Sequence, residues 1–175
     1  MKQLSLIIIL FGLFSCQTKK ENSNPLIFED EVNFKTLRQV TFGGDNAEAY
    51  WSFDDKQLIF QSNNKNWNVE CDQMFLMNAG QTFKNNDPKM VSTGLGRTTC
   101  SYFLPDNKHI LYASTHEDNE KCPEVPLRKE GKYVWPIYDS FDIYVSDLNG
   151  EIKNKLTDQI GYDAEATVSP VGDKI

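Results

Sequence analysis

An internal repeat constrains this chain more than any other feature. Ser52-Phe53-Asp54-Asp55-Lys56-Gln57-Leu58-Ile59-Phe60 returns as Leu104-Pro105-Asp106-Asn107-Lys108-His109-Ile110-Leu111-Tyr112, and a third copy starts at Ser169-Pro170-Val171-Gly172-Asp173-Lys174-Ile175. In the first two copies a tight polar turn leads to a lysine, one further residue and an apolar pair. Upstream, Ala47-Glu48-Ala49-Tyr50-Trp51 matches Ala164-Glu165-Ala166-Thr167-Val168 and, loosely, Thr99-Cys100-Ser101-Tyr102-Phe103. Downstream, Gln73–Asn78 matches Asp142–Asp147, and Leu37–Thr41 matches Lys153–Thr157 through its closing apolar-Thr pair, with Lys89–Thr93 in the same slot. A match at one slot arises by chance; several slots in one order do not. The chain is therefore read as repeated supersecondary units.

Each unit holds four short apolar stretches rich in β-branched and aromatic residues, separated by Asn, Asp and Gly. In the first unit they span about 47–53, 57–62, 72–78 and 89–93, and in the second about 98–104, 109–115, 141–147 and 153–157. No stretch of helical length keeps a 3.6-residue period, so helix is expected to be nearly absent. Asn149-Gly150 is a hairpin signal, because a type I′ turn requires positive φ at both central residues. Four antiparallel strands per repeat, at a spacing of roughly 50 residues, predict an all-β chain built from the four-stranded antiparallel blades of a β-propeller.

The turn carries a more specific likeness. Ser169-Pro170-Val171-Gly172-Asp173-Lys174 and Leu104-Pro105-Asp106-Asn107-Lys108 resemble the Ser-Pro-Asp-Gly-Lys turn between first and second strands in TolB-like, WD-repeat-like β-propellers; Ser52-Phe53-Asp54-Asp55-Lys56 lacks the proline. The similarity covers residues 34–175 and implies that Leu37–Thr41 is a fourth-strand element that closes the ring against a last blade. Two blades, a closing strand and the start of a third make an incomplete propeller, since rings usually hold about four to eight blades. The expectation is an N-terminal fragment of a longer protein, or a short protein completed by oligomerisation.

The first residues read as an address. Lys2 precedes an apolar run from Leu4 to Phe14, broken only by Ser5 and Gly12. That run is shorter than the roughly 20 residues a membrane-spanning helix needs and fits the apolar part of a secretory signal, 1–15. Leu13-Phe14-Ser15-Cys16 resembles the bacterial lipobox, which implies lipidation of Cys16. Ordinary cleavage near Ser15, leaving a free Cys16 thiol, is the alternative. Residues 16–33 begin with the polar Gln17–Asn24 and are read as a flexible tether. Such a chain is expected at the periplasmic or cell-surface face of a membrane, held by its lipid.

Charge narrows the partners. The chain carries 18 basic and 25 acidic residues, net −7; without 1–15 it carries 17 against 25, net −8. An acidic domain gains nothing from phosphate backbones, so no nucleic-acid partner is expected.

Propeller geometry puts the loops after fourth strands and after second strands on one face. Gly43–Asn46, Gly94–Arg97 and Gly161–Asp163 would share it with Gln61–Cys71 and a long insertion, His116–Ser140. The insertion carries Tyr133, Trp135 and Tyr138 among prolines, which suits a packed cap able to stack on sugars or peptide side chains, or simply a loop covering its neighbour. Glu48, Glu165 and His116 complete the expected ligand face. Exported cysteines can pair; Cys100–Cys122 is the favoured disulfide, with Cys71–Cys122 next. The spacing of Cys100, His116 and Cys122 matches no standard zinc motif, so no metal or other cofactor is expected. Glu48 and Glu165 are more readily structural than an acid–base pair. No Gly-x-Ser-x-Gly elbow occurs.

The resemblance and the leader together imply a non-catalytic binding or scaffolding lipoprotein of the bacterial cell envelope, its ligand an envelope protein, a peptide or a glycan. The alternative is the propeller part of a prolyl-oligopeptidase-like peptidase or of a sugar lyase.

Overall fold

The computed structural model of the chain describes residues 24–127, 130–132, 134 and 136–175. The chain divides into two units, Met1–Arg38 and Gln39–Ile175. In the first, the Asn24 side chain organises the described residues: its Nδ2 donates to Leu37 O and its Oδ1 accepts from Leu26 N.

The second unit is all-β. Strands β1 (Asn46–Trp51), β2 (Gln57–Ser62), β3 (Gln73–Asn78) and β4 (Lys89–Met90) form one antiparallel sheet in that order. A second sheet is built from β5 (Thr98–Phe103), β6 (His109–Ser114), β7 (Ser140–Asp147) and β8 (Ile152–Lys155), with a fifth short strand, β9 (Gly161–Tyr162), parallel to the start of β7. The one helical turn among the described residues is 3-10, Lys65–Trp67, capped by the Asn64 side chain. Eight of these strands fall where alternating apolar and β-branched residues predict them.

Period-2 alternation sorts the side chains into layers. Ile59, Met74 and Leu76 of the first sheet meet Phe103, Ile110, Tyr112 and Tyr144 of the second, forming a core between the two. The alternate residues Phe60, Phe75 and Met77 face away and are covered by Trp67, Val69 and Phe83. On the far side of the second sheet, Leu111, Ala113, Phe141 and Ile143 pack against Val168, Ala164 and Ala166. Because β2, β3, β6 and β7 are buried largely on both faces, each carries consecutive apolar residues at its centre, Leu58–Phe60, Met74–Met77, Ile110–Ala113 and Ile143–Val145.

The repeated turn folds alike three times. Ser52 N donates to Gln57 O, Leu104 N to His109 O and Ser169 N to Lys174 O, at 2.8, 2.8 and 2.9 Å. Asp55, Asn107 and Gly172 occupy its left-handed position. In the first and third copies the serine hydroxyl accepts from the two amides that follow the turn, Lys56 and Gln57, then Asp173 and Lys174. Leu104 has no hydroxyl, and Asp106 Oδ1 takes over that role for Lys108 N and His109 N. Adjacent turns touch: Asn107 Oδ1 accepts from Asp54 N, and a Cβ on Gly172 would stand 2.4 Å from Pro105 Cγ.

Two elements differ from expectation. Leu37–Thr41 is not a strand; it contributes a single parallel bridge, Thr41 to Phe83, with Phe83 N donating to Val40 O at 2.7 Å. The contact is local, because Phe83 lies in the β3–β4 connection and brings its own apolar side chain to Val40. The third copy of the first strand, 164–168, packs on the second sheet without a ladder partner. Of the hairpin ladders seen in the first two copies, it retains the turn bond at Ser169.

Candidate functional site

The site is built by a repeated irregularity. Pairing of β1 with β2 slips between Ala47 and Tyr50, and pairing of β5 with β6 slips between Thr99 and Tyr102. Inside the slips sit Glu48 and Cys100, both at φ 49°, and the corresponding Glu165 is at φ 60°. Left-handed backbone costs a residue with a Cβ about 1–2 kcal/mol, so its recurrence at one repeat position requires surroundings that impose it. For Cys100 those surroundings are visible. Gln61 Oε1, on the first sheet, accepts from Thr99 Oγ1 at 2.7 Å and from Cys100 N at 3.4 Å. A bulge re-aims the side chain it carries, and here the re-aimed side chains converge.

Glu48, Cys100 and Glu165 line one cleft of about 150 Å³ with Tyr50, Ser101 and Tyr102. The Tyr50 and Tyr102 rings lie 5.2 Å apart, and Tyr50 donates its hydroxyl to Glu48 Oε2 at 2.9 Å. That bond to a carboxylate, with burial, raises the Tyr50 phenol above its usual range. Burial pushes the Cys100 thiol up, and the carboxylates of Glu165 and Glu48 push it further. Thr99 gives its one proton to Gln61, so the Cys100 thiol donates to Thr99 Oγ1 at 3.1 Å. The thiol is held protonated, the reverse of what a nucleophilic cysteine needs. Ser101 is 1% exposed and its hydroxyl has no hydrogen-bond partner. No ion pair with a described Lys, Arg or His engages Glu48 or Glu165.

The neighbouring loops obey the same repeat. Gly44 lies against the backbone of Asn64, and Gly96 against that of His116; a Cβ would come within 2.5 Å and 2.8 Å respectively. Both glycines have positive φ. The disulfide joins Cys71 to Cys122, with Cα atoms 6.0 Å apart, and Cys100 is free. This corrects the expected Cys100–Cys122 pair. The bulge turns Cys100 into the cleft, whereas Cys71 ends the connection after β2 and meets the insertion directly. A larger groove runs beside the disulfide, past Gln73 and Gly96. Its buried amide is already satisfied: Gln73 Nε2 donates to Gly96 O, and Gln73 Oε1 accepts from Ser92 Oγ and Gly94 N.

The remaining expected residues lie elsewhere. His116 is half-buried with its ring 4.5 Å from that of Tyr144 and its Nδ1 3.0 Å from Ser114 Oγ. Burial lowers the His116 pKa. Ser114 is fully buried, so this serine–histidine contact is structural. Tyr138 ties the insertion to itself, donating its hydroxyl to Glu124 O and stacking near Phe141. Cys16, Tyr133 and Trp135 lie outside the described residues. Among the described residues no cluster of three or more His, Cys, Asp or Glu is arranged to hold a metal ion. Sequence reasoning thus named Glu48 and Glu165 but missed Tyr50, Tyr102, Ser101 and the supporting Gln61. The repeat alignment already set Cys100 in the column of the two glutamates; the left-handed backbone shared by all three has no signature in residue type.

Comparison with protein-family models, curated proteins and solved structures returns no match.

Proposed function

We propose that the chain is an exported, lipid-anchored segment of a TolB-like β-propeller that acts as a non-catalytic binding module of the bacterial cell envelope. The observation that carries this reading is the register of the repeats. Turns at Asp55, Asn107 and Gly172 stack in contact, and the bulged residues Glu48 and Cys100 converge with the left-handed Glu165 on one cleft. Sheets packed face to face, with the 164–168 segment laid on the second, are what successive blades around an axis would look like. The bulges would then line the axis. Binding is favoured over catalysis because the cleft offers acceptors, aromatic surface and a protonated thiol, and in its Tyr50–Glu48 contact the phenol is held protonated rather than activated.

The anchor is tested by Cys16→Ser in the full-length gene product. The variant should move from the membrane pellet to the soluble fraction while its Cys71–Cys122 bond still forms. Retention in the pellet without detergent sinks the anchor. The binding face is tested by a photo-crosslinking residue at Thr167, beside the cleft, compared with one at Gln81. Crosslinks confined to Thr167 support the reading, and equal crosslinking at both removes it.

A further inference from the structure

The cleft has a chemical preference that can be stated, and this step rests on the binding reading above. We infer that the Glu48–Cys100–Glu165 cleft binds a primary ammonium group, of the kind a lysine side chain or a free chain N-terminus presents. Three observations carry it. First, two carboxylates from different repeats line one small cleft and neither has a basic partner among the described residues. Second, Ser101, on the same lining, is buried with a hydroxyl that lacks any partner, a rare state for such a group. Third, Tyr50 and Tyr102 supply adjacent aromatic surface, which attracts organic cations.

Size and donor count then select among cations. A space of about 150 Å³ falls below the roughly 300–1,000 Å³ of sites that enclose whole small molecules. It suits one charged group on a short stem. An ammonium has three N–H donors, and Glu48, Glu165 and Ser101 are three acceptor groups. Calcium wants about six to eight oxygens, and the described residues gather no metal-type cluster here. A guanidinium is a broad planar fork, whereas an ammonium is a compact charge that fits a cleft of this size.

The test uses the full-length protein, isotopically labelled, with amide shifts of Glu48, Cys100, Ser101 and Glu165 read by NMR. The probe is n-propylammonium chloride, against propan-1-ol, methylguanidinium chloride and calcium chloride at matched ionic strength. Saturable shifts with propylammonium, at least tenfold weaker with the alcohol, are expected. Glu48→Gln with Glu165→Gln should weaken binding at least tenfold. Ser101→Ala should weaken it several-fold with both carboxylates in place, so one misfolded variant does not decide the matter. Acetyl-lysine amide and alanine amide separate the side-chain source from the chain terminus, and saturation by either supports the class. Equal response to the alcohol, or tighter saturation by calcium or methylguanidinium, overturns it. Should every probe fail while Thr167 still crosslinks selectively, the ammonium assignment falls and the binding face stands; loss of both removes both.

Discussion

Gly96 shows how a single residue fixes a loop beside the disulfide. Its φ is +57°, and a Cβ would sit 2.8 Å from the backbone N and Cα of His116. Gly80 has φ +86°, but nothing lies within 4 Å of where its Cβ would stand. Gly80→Ala should therefore cost only the left-handed backbone, about 1–2 kcal/mol. Gly96→Ala should cost more, because backbone cannot step aside as a side chain can. Urea unfolding of both variants measures the difference, and equal losses refute the close-approach argument. His116 supplies a second prediction. Its folded pKa is below 6.5, so the unfolded chain takes the proton more readily. The neutral imidazole's contribution is complete above about pH 6.5 and is lost as pH falls below it. The drop in urea midpoint from pH 7.5 to 5.5 should be smaller in His116→Gln than in the parent. Such residue-level facts were only partly legible. Gly43-Gly44 and Gly94-x-Gly96 announce turns, yet nothing in the letters says that Gly96 faces His116. Sequence alone ranks Cys71–Cys122 behind Cys100–Cys122 for a similar reason: a one-residue bulge reverses which way Cys100 points, and residue type does not encode it.

At the level of elements, the sequence carried most of the outcome, because strand burial on alternate faces is written directly into residue order. β2 and β3 read as apolar runs since Ile59 and Phe60 enter different cores. The Leu37–Thr41 strand failed for a physical reason as well: a strand needs a partner, and the nearest one is Phe83, a single residue in a connection. The insertion after β6 is tied down by Cys71–Cys122, whose loop separation is 51 residues. Closing a loop of that size removes about 4 kcal/mol of unfolded-chain entropy in the simplest polymer model. Cys122→Ser should lower unfolding free energy by up to that amount and speed proteolysis within 116–140 ahead of either sheet. Unchanged cleavage there would show the insertion is held by packing alone, through Tyr138 and its neighbours.

Across the second unit as a whole, the two sheets share one core and should unfold together. Ile59 is fully buried between them, against residues that include Phe103 and Ile110. Ile59→Ala, a change in the first sheet, should cost about 2–5 kcal/mol. It should also lower hydrogen-exchange protection in β6 of the second sheet as much as in β2. Protection lost in β2 alone would mean two independent folding units. The outermost strands carry one more consequence. β4 is two residues long and begins with Lys89, and β8 places Lys153 and Lys155 along the free side of the second sheet. Lys155 is further fixed there by Asp142 and Glu117, each 2.8 Å away. A short strand, or one studded with ammonium groups, is a poor template for another chain's backbone. The two outer strands, short on one sheet and lysine-bearing on the other, therefore leave little for a second copy of the chain to extend by backbone pairing.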